Sequence, residues 1–254
     1  MTVGVVQLPY RSGEAAGGLA ALEALLEAGE LRGVELALLP EAALTGYVSP
    51  EGDFDLRRHA ETMSGPTARA LASMARTFGL ALAAPLIEEA DGRFYNTLAL
   101  WDREGQRIGH WRKRHPWFPE RWATPGDLGS PVVEVLGLRV TAAICFDIHF
   151  VSEDAGAALD AADVLLFPSA WVEGSARVDL RGKLLPAVAR RHGVAVMNAN
   201  WGPPEGGSLW AVAGQGGSRI LDAGGRVLAR VRPGAGSIVA RARVQGSEAS
   251  SGRR

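Results

Sequence analysis

The chain has 254 residues, a formal net charge of −1 at neutral pH and a 47% share of hydrophobic side chains. This length allows one large domain or two small ones, and the balanced charge provides no basic surface for a nucleic-acid partner. The single cysteine, Cys145, excludes an intrachain disulfide and a cysteine-based zinc site. Lysine is also rare, because Lys113 and Lys183 are the only lysines among 27 basic residues.

The sequence shows no targeting or membrane segment. The first residues, MTVGVVQLPY, lack the basic region and the long apolar stretch of a signal peptide. The longest apolar runs, residues 36–40 and 161–167, fall well short of the ~20 residues that a membrane span needs. We therefore expect a cytoplasmic protein with no membrane partner.

Strands and helices alternate through the first half of the chain. Short apolar and β-branched runs predict strands, and apolar residues at helical spacing predict helices. The predicted elements are strand Val3–Leu8, helix Leu19–Ala28, strand Val34–Leu39, helix Pro66–Phe78, strand Leu80–Ile87, a turn at Asp91-Gly92, strand Arg93–Asp102 and a short strand ending at His110.

A polar and aromatic loop, residues 111–127, separates the two halves, and the alternation then continues. The predicted elements are strands Val132–Leu136 and Arg139–Cys145, helix Asp154–Ala161, strand Val164–Phe167, helix Leu180–Arg191, strand Val194–Asn198, a glycine-rich loop Gly206–Gly217, and strands Ser218–Leu221, Arg226–Arg230 and Ser237–Val244. No repeat or linker divides the chain. We predict one α/β domain over residues 1–246, with a mixed sheet or two stacked sheets under helices, and a disordered tail over residues 247–254.

Three chemically distinctive residues fall at or after predicted strand ends, where α/β folds usually bind ligands. Glu41 follows the run LALLP, Cys145 ends the run RVTAAIC, and Lys113 lies in the aromatic loop. A carboxylate beside a thiol can take its proton and later activate water. A nearby ammonium stabilises both a thiolate and an oxyanion. The combination is typical of nucleophilic attack on a carbonyl or nitrile carbon.

Each of these residues also has an ordinary structural explanation. A lone cysteine after an apolar strand is commonly a small core residue, Glu41 can cap a turn, and Lys113 can be one charge of a solvated basic run. Lysine usage favours a special role for Lys113, since its neighbours Arg112 and Arg114 are arginine and an ammonium differs from a guanidinium in shape and donors. Lys183 weakens that argument because it has no assigned role.

The motifs around these residues resemble those of the nitrilase, or carbon–nitrogen hydrolase, superfamily. LLPEAALTGY resembles its glutamate motif, HWRKRHPWFPE its lysine motif and AAICFDIHF its nucleophile motif. The further segments YNTLAL, FPSAW, VMNAN and GGSRILDAGGRVLA match in the same order, so the resemblance covers nearly the whole chain. It implies a four-layer αββα sandwich in which two stacked mixed sheets are covered by helices.

The resemblance also implies a mechanism without a cofactor. Cys145 attacks the carbon of an amide, and Lys113 with the backbone N–H of Phe146 holds the oxyanion. Glu41 passes the proton to the departing amine and then activates the water that hydrolyses a thioester. Glu120 matches a second glutamate that helps to hold the lysine. The family usually forms dimers, so a homodimer or a higher homo-oligomer is expected.

The branch of the family is less sharply defined. CFDIHF and FPSAW resemble the biotinidase and pantetheinase branch, whose members are usually secreted and longer. Phe146 stands where true nitrilases typically have tryptophan, which favours a small-molecule linear amide over a nitrile. The helix after Trp171 departs from the common pattern and carries Arg190, Arg191 and His192 instead.

Four residues on loops near the same sheet edge are candidate substrate contacts, namely Tyr47, Trp117, Trp171 and Asn200. Tyr47 and Trp171 equally suit a core or a dimer interface, and Asn200 equally suits a cap at a strand end. His149, four residues after Cys145, is expected to pack or to form hydrogen bonds. The five histidines are scattered without the spacing of a metal site, so no metal is expected.

Three other functions fit parts of the pattern. The same triad can hydrolyse a nitrile or transfer the acyl group from the thioester to an amine. A non-catalytic binding protein can also use this scaffold, although the presence of Glu41, Lys113 and Cys145 speaks against it. Our main hypothesis is an amidase that acts on a linear amide.

Overall fold

The computed structural model describes residues 1–49, 51–173, 178–204, 215–232 and 238–246. Most of the predicted loop Gly206–Gly217 and all of the predicted tail 247–254 lie outside the described residues. None of the helices in these ranges has the length and apolar character needed to cross a membrane.

The described residues alternate between strands and helices as predicted. In the first half these are β1 (Thr2–Gln7), α1 (Ala15–Glu27), β2 (Leu36–Leu38), α2 (Pro66–Phe78), β3 (Ala81–Ala90), β4 (Arg93–Trp101) and β5 (Arg107–Arg112). In the second half they are β6 (Val133–Val135), β7 (Leu138–Ala142), α3 (Val151–Asp154), α4 (Gly156–Ala161), β8 (Val164–Ser169), α5 (Arg181–His192), β9 (Ala195–Asn200), β10 (Arg219–Leu221), β11 (Val227–Arg230) and β12 (Ile238–Arg243). Short 3-10 helices cover Arg57–His59 and Cys145–His149.

The strands form two six-stranded sheets, in the orders β12-β1-β2-β3-β4-β5 and β11-β10-β9-β8-β7-β6. Strands β1, β2 and β3 are parallel, as are β7, β8 and β9, and the remaining pairs are antiparallel. Because β5 is two antiparallel steps from β3, it again runs parallel to β2. The carboxyl ends of β2 and β5 therefore meet at one edge of the first sheet.

Apolar side chains divide the molecule into four layers. Inward-facing residues of both sheets form one core between the sheets, including Val5, Leu38, Leu100, Val140, Leu166 and Met197. The outer face of the first sheet packs against α1 and α2 through Leu22 and Leu71, and that of the second packs against α4 and α5 through Leu159 and Leu185. The predicted αββα sandwich is confirmed. Both faces of each sheet are covered, which explains why the strands are continuous apolar runs in the sequence.

Helix boundaries follow the sequence signals where those signals are local. Helix α2 has the predicted bounds, because Pro66 suits its first turn and Gly79 ends it in a left-handed conformation with φ of 65°. Helix α1 begins at Ala15, before the predicted start at Leu19. A Cβ at Gly18 would lie 2.3 Å from the backbone oxygen of Leu44, so this glycine permits a close approach within the helix.

Three predicted elements differ from the structure near the candidate site. Strand β5 runs beyond His110 to Arg112, whereas β7 ends at Ala142 and does not reach Cys145. The predicted helix Asp154–Ala161 is instead two short helices, because Ala155 adopts φ of −131° between them. As a result, Cys145 opens a separate 3-10 helix beyond the sheet edge.

Candidate active site

The structure brings together the three residues that the sequence singled out. Glu41 follows β2, Lys113 follows β5 directly, and Cys145 lies three residues beyond β7 of the other sheet. The Nζ atom of Lys113 lies 2.7 Å from Oε1 of Glu41. The thiol of Cys145 lies close enough to the same carboxylate for the two groups to shift each other's pKa. A carboxyl group, an amine and a thiol separated by up to 104 positions thus form one contiguous cluster.

Glu41 is fully buried and accepts hydrogen bonds from several directions. Its Oε1 accepts from Lys113 and, at 2.8 Å, from Nδ2 of Asn96, while its Oε2 accepts from the backbone N–H of Ala170 at 2.8 Å. The indole N–H of Trp201 donates to its backbone oxygen at 2.7 Å. Burial outweighs the opposing effect of Lys113 and raises the pKa of Glu41, which makes it a stronger base than an exposed glutamate.

Lys113 is held between two carboxylates. Its Nζ donates to Oε2 of Glu120 at 2.6 Å as well as to Glu41, and the lysine is 1% exposed. Burial opposes the charged amine, but the two carboxylates outweigh it and raise the pKa of Lys113. The side chain therefore stays an ammonium over the working pH range. Its charge also faces the ring of Tyr47, with 5.6 Å from Nζ to the centroid.

Asn96 links the two carboxylates, a role that the sequence analysis missed. Its Nδ2 donates to Glu41 and, at 2.7 Å, to Oε1 of Glu120. Glu120 also accepts from the backbone N–H of Trp117 at 2.6 Å, which fixes the loop after Lys113. A buried asparagine within the apolar strand β4 was the signal available in the segment YNTLAL, since buried amides are almost always hydrogen-bonded.

Cys145 adopts a left-handed backbone conformation, with φ of 48°. Such a conformation costs a non-glycine residue roughly 1–3 kcal/mol and persists where surrounding contacts enforce it. Burial and the Glu41 carboxylate raise the pKa of the Cys145 thiol well above its usual value. The resting side chain is therefore a neutral thiol that needs a base when it reacts, and Glu41 lies in position to be that base.

Asp147 holds the turn that contains Cys145, and the sequence analysis did not single it out. Its carboxylate accepts from the backbone N–H groups of Ile144 at 3.0 Å, His115 at 2.8 Å and Arg114 at 3.4 Å. One side chain thus joins the cysteine turn to the loop after Lys113. Burial raises the pKa of Asp147 to about 6 despite these donors.

We expect Asp147→Asn to destabilise the protein by about 1–3 kcal/mol, because an amide NH₂ then faces backbone N–H donors. The native pKa of Asp147 lies above its ordinary value of 3.8, so its stabilising contribution is fully present below that pH and is lost as pH rises through 6. Urea unfolding should therefore show a larger loss near pH 4 than at pH 8. The exposed Asp91→Asn is the control, and a loss that is independent of pH would contradict the assignment.

Two adjoining cavities, each of about 250 Å³, open beside the cluster. The outer cavity is lined by Cys145, Phe146, His149 and Leu180, and the inner one is largely aromatic. Three of the predicted contacts, Tyr47, Trp117 and Trp171, line both cavities, together with Ala170, Val172 and Glu173. The ring of His149 stacks on that of Trp171 at 5.6 Å, which is the packing role expected for it.

Asn200, a predicted substrate contact, is not among the residues that line these two cavities. It is fully buried, and its Oδ1 accepts from the backbone N–H of Trp171 at 2.8 Å and from Oγ of Ser169 at 3.0 Å. Strand β9 continues to Asn200, which places the amide beneath Trp171 and away from the cavity. Its structural role is to position Trp171. Lys183 is exposed on α5.

Over the ranges that the structure describes, no group of three or more His, Cys, Asp or Glu side chains is arranged to hold a metal ion. A thiol, a carboxylate that can take its proton and a fixed ammonium are the groups that nucleophilic attack on a polarised carbon needs.

The αββα sandwich and this cluster at its sheet edges place the protein in the nitrilase-fold class. The sequence model described as carbon-nitrogen hydrolase matches residues 2–253, and the chain belongs to that family.

Several relatives are named for related activities. The chain is 33% identical over 174 residues to the hydrolase in the pqqF 5' region of Pseudomonas protegens, covering 67% of this chain and 59% of that protein. It is 31% identical over 231 residues to an (R)-stereoselective amidase of Pseudomonas sp., covering 90% and 80%. It is 28% identical over 158 residues to the N-carbamoylputrescine amidase of Solanum lycopersicum, covering 60% and 53%. The chain thus spans between half and three fifths of the length of some of these relatives.

An amidase from Nesterenkonia sp. AN1 has the same fold. The two structures superpose with a TM-score of 0.81 at 24% sequence identity, over 96% of this chain and 93% of that one. At this identity the comparison supports the architecture, which agrees with the two stacked sheets described above.

Proposed function

We propose that the protein hydrolyses the C–N bond of a linear amide through a thioester on Cys145. The observation that carries this proposal is the buried ion pair of Glu41 with Lys113, beside which the Cys145 thiol lies. The name of the Pseudomonas amidase, which aligns with 90% of this chain, supports an amide over a nitrile, as does Phe146 after the cysteine.

In the first half-reaction, Glu41 removes the thiol proton as Sγ of Cys145 bonds to the carbonyl carbon. The negative charge moves to the carbonyl oxygen, where the Lys113 ammonium and the backbone N–H of Phe146 stabilise it. Glu41 then gives its proton to the nitrogen as the C–N bond breaks. The amine leaves, and the acyl group remains on sulfur as a thioester.

In the second half-reaction, Glu41 takes a proton from a water that attacks the thioester carbon. The same oxyanion forms and collapses, the C–S bond breaks, and sulfur recovers the proton from Glu41. Asn96, Glu120 and the backbone of Ala170 keep the carboxylate and ammonium in place through both steps. The cluster needs no reorganisation between the two half-reactions, which is the advantage of a preorganised site.

Alkylation with iodoacetamide tests the proposal without knowledge of the substrate. We expect one modification per chain, at Cys145, and loss of ammonia release from a panel of amides in proportion to labelling. Cys145→Ser is the matched control, since it retains a hydroxyl of similar size but takes up no label. An unreactive thiol in a folded protein that releases no ammonia would favour the non-catalytic binding protein instead.

Mass spectrometry of the intact protein separates the remaining alternatives. A mass increase equal to an acyl group during amide turnover supports the thioester. Release of an N-substituted amide when an amine is added supports acyl transfer, and turnover of nitriles at higher kcat/KM than amides supports a nitrilase. The homodimer stays a prediction based on the family resemblance.

A further inference from the structure

Aromatic side chains dominate the inner cavity beside Cys145. Among the described residues that line it, six are aromatic: Tyr10, Tyr47, Phe54, Trp117, Trp171 and Trp201. The rings of Tyr47, Phe54 and Trp117 contact one another with centroids 5.9–6.3 Å apart. Such mutual contacts hold each ring in one orientation, so the cavity has fixed walls that need little ordering on binding.

The polar atoms of three of these aromatic residues, Tyr10, Trp171 and Trp201, are already bonded to the protein. The hydroxyl of Tyr10 accepts from the backbone N–H of Val48 at 2.9 Å and donates to its carbonyl oxygen at 3.2 Å. The indole N–H of Trp201 donates to the backbone oxygen of Glu41. What these residues present to a ligand is therefore the apolar face of each ring, and a polar ligand group there would lose its water without a replacement partner.

Glu173 is the single charged side chain among the described residues that line the inner cavity. Its Oε1 accepts from Nε1 of Trp171 and from the backbone N–H of Leu180, each at 2.9 Å. Arg181 and Arg219 also interact with it electrostatically. The carboxylate is thus engaged in fixing the cavity wall, and these arginines oppose the approach of a ligand cation.

A carboxylate on the ligand would be disfavoured as well. It would meet Glu173 on the wall, while the nearby guanidinium groups of Arg181 and Arg219 already have partners in Asn198, Gly216 and Asp179. Among the described residues the lining of the inner cavity contains no lysine or arginine, so a carboxylate there would lose its water without a cationic partner. The inner cavity is therefore best suited to an uncharged ligand group.

The volume of the inner cavity limits the size of the ligand group that it can hold. An apolar cavity of about 150 Å³ binds benzene, whereas the inner cavity measures about 250 Å³. It therefore accommodates a phenyl-sized group together with a short linker that reaches Cys145 in the outer cavity.

The order of the chemical steps indicates which part of the substrate occupies each cavity. The amine must leave and water must enter at the same position before the thioester is hydrolysed. The outer cavity suits this exchange, because the exposed side chain of Leu180 borders it and does not border the inner cavity. The acyl group, which stays on Cys145 throughout, then occupies the inner cavity.

On the basis of the proposed function, we infer that the protein selects amides whose acyl group is uncharged, apolar and large, such as an arylalkyl or branched alkyl chain. The inner aromatic cavity would hold this group. Amides with a charged acyl group and very short acyl groups would be poor substrates.

The test is a series of kcat/KM measurements from released ammonia, with acetamide, butyramide, hexanamide and phenylacetamide as substrates. We expect a rise of about fourfold for each added methylene, which corresponds to about 0.8 kcal/mol, until the cavity is filled. The anionic succinamate and the cationic 4-aminobutyramide should fall roughly 10- to 100-fold below butyramide. Highest kcat/KM for acetamide or for a charged amide would overturn the inference.

Variants of the cavity wall provide a second test. In Val48→Phe a ring fills part of the cavity, and in Phe54→Ala one ring is removed. Both should lower the ratio of kcat/KM for phenylacetamide to that for acetamide by about tenfold or more. The exposed Leu128→Ala is the matched control and should leave this ratio unchanged. An unchanged ratio in both folded wall variants would contradict the assignment.

Binding to Cys145→Ala separates this inference from the proposed function. Because Trp117, Trp171 and Trp201 line the cavity, phenylacetamide should change the tryptophan fluorescence of this variant, whereas acetamide at the same concentration should not. If no amide is turned over but phenylacetamide binds, the proposed function fails and the cavity assignment holds. If amides are turned over but N-benzylacetamide is preferred to phenylacetamide, the amine side occupies the cavity and the inference fails alone.

Discussion

Lys113→Met should lower kcat/KM by roughly 10²- to 10³-fold, because it removes the ammonium that stabilises the oxyanion in the proposed mechanism. The same change leaves Glu41 and Glu120 buried without their shared partner, only 2.6–2.7 Å from where the ammonium lay. Removing one member of a buried ion pair typically destabilises a protein by about 3–5 kcal/mol. We therefore expect a lower unfolding midpoint in urea together with the lost activity.

A double variant separates these two effects. In the native cluster two carboxylates and one ammonium carry a net charge of −1, and Lys113→Met/Glu120→Gln restores that value with Glu41 alone. The free energy of unfolding should recover by more than half relative to Lys113→Met, since only one buried carboxylate remains. Activity should stay low because the oxyanion still lacks its cation. Recovery of activity together with stability would show that Lys113 acts only through folding.

The fold was predictable wherever local sequence signals were strong. The bounds of α2 followed from Pro66 and Gly79, and the α/β class followed from apolar strands that alternate with helices, whereas the four-layer arrangement followed from the family resemblance. The predicted start of α1 was four residues too late. Gly18 lies in the first turns of this helix because its backbone packs closely against the distant Leu44, and this contact is not visible in the local sequence. A helix start that depends on tertiary packing leaves no pattern in its own segment.

The reactive residues of the site were easier to predict from the sequence than the residues that hold them in place. Glu41, Lys113 and Cys145 stood out as reactive side chains at predicted strand ends. Asn96 and Asp147 did not, because their functions lie in hydrogen bonds to residues up to 55 positions away. Asn200 was predicted to contact the substrate because it follows a predicted strand. In the structure β9 extends to Asn200, whose side chain bonds to the backbone N–H of Trp171. The sequence alone did not determine where β9 ends.

Glu41→Gln should remove turnover while leaving Cys145 reactive, and this contrast distinguishes a base from a purely structural carboxylate. Loss of a general base typically lowers kcat by about 10²- to 10⁴-fold. Lys113 keeps Glu120 as a partner, so the ammonium remains paired at 2.6 Å. An amide in place of the carboxylate also turns an NH₂ group toward a donor, either the backbone N–H of Ala170 or Nζ of Lys113, so a modest loss of stability is expected.

In Glu41→Gln the reactivity of the Cys145 thiol should be retained or increased, whereas turnover should be lost. The negative charge of Glu41 raises the pKa of Cys145, so its removal lowers that pKa and increases the thiolate fraction at a given pH. The rate of alkylation by iodoacetamide in Glu41→Gln should therefore match or exceed that of the native protein between pH 7 and 8, with turnover lost. A fall in both rates would indicate a collapsed site instead.

The pH dependence of the native protein gives an independent measure of the same carboxylate. Burial raises the pKa of Glu41 above its ordinary value of 4.5, and only the ionised form can accept the thiol proton. As pH falls through this raised pKa, kcat/KM should decline at a midpoint above pH 4.5 while the protein remains folded. A midpoint at or below 4.5 would place the base outside the buried cluster, because desolvation of Glu41 would then have no effect on the reaction.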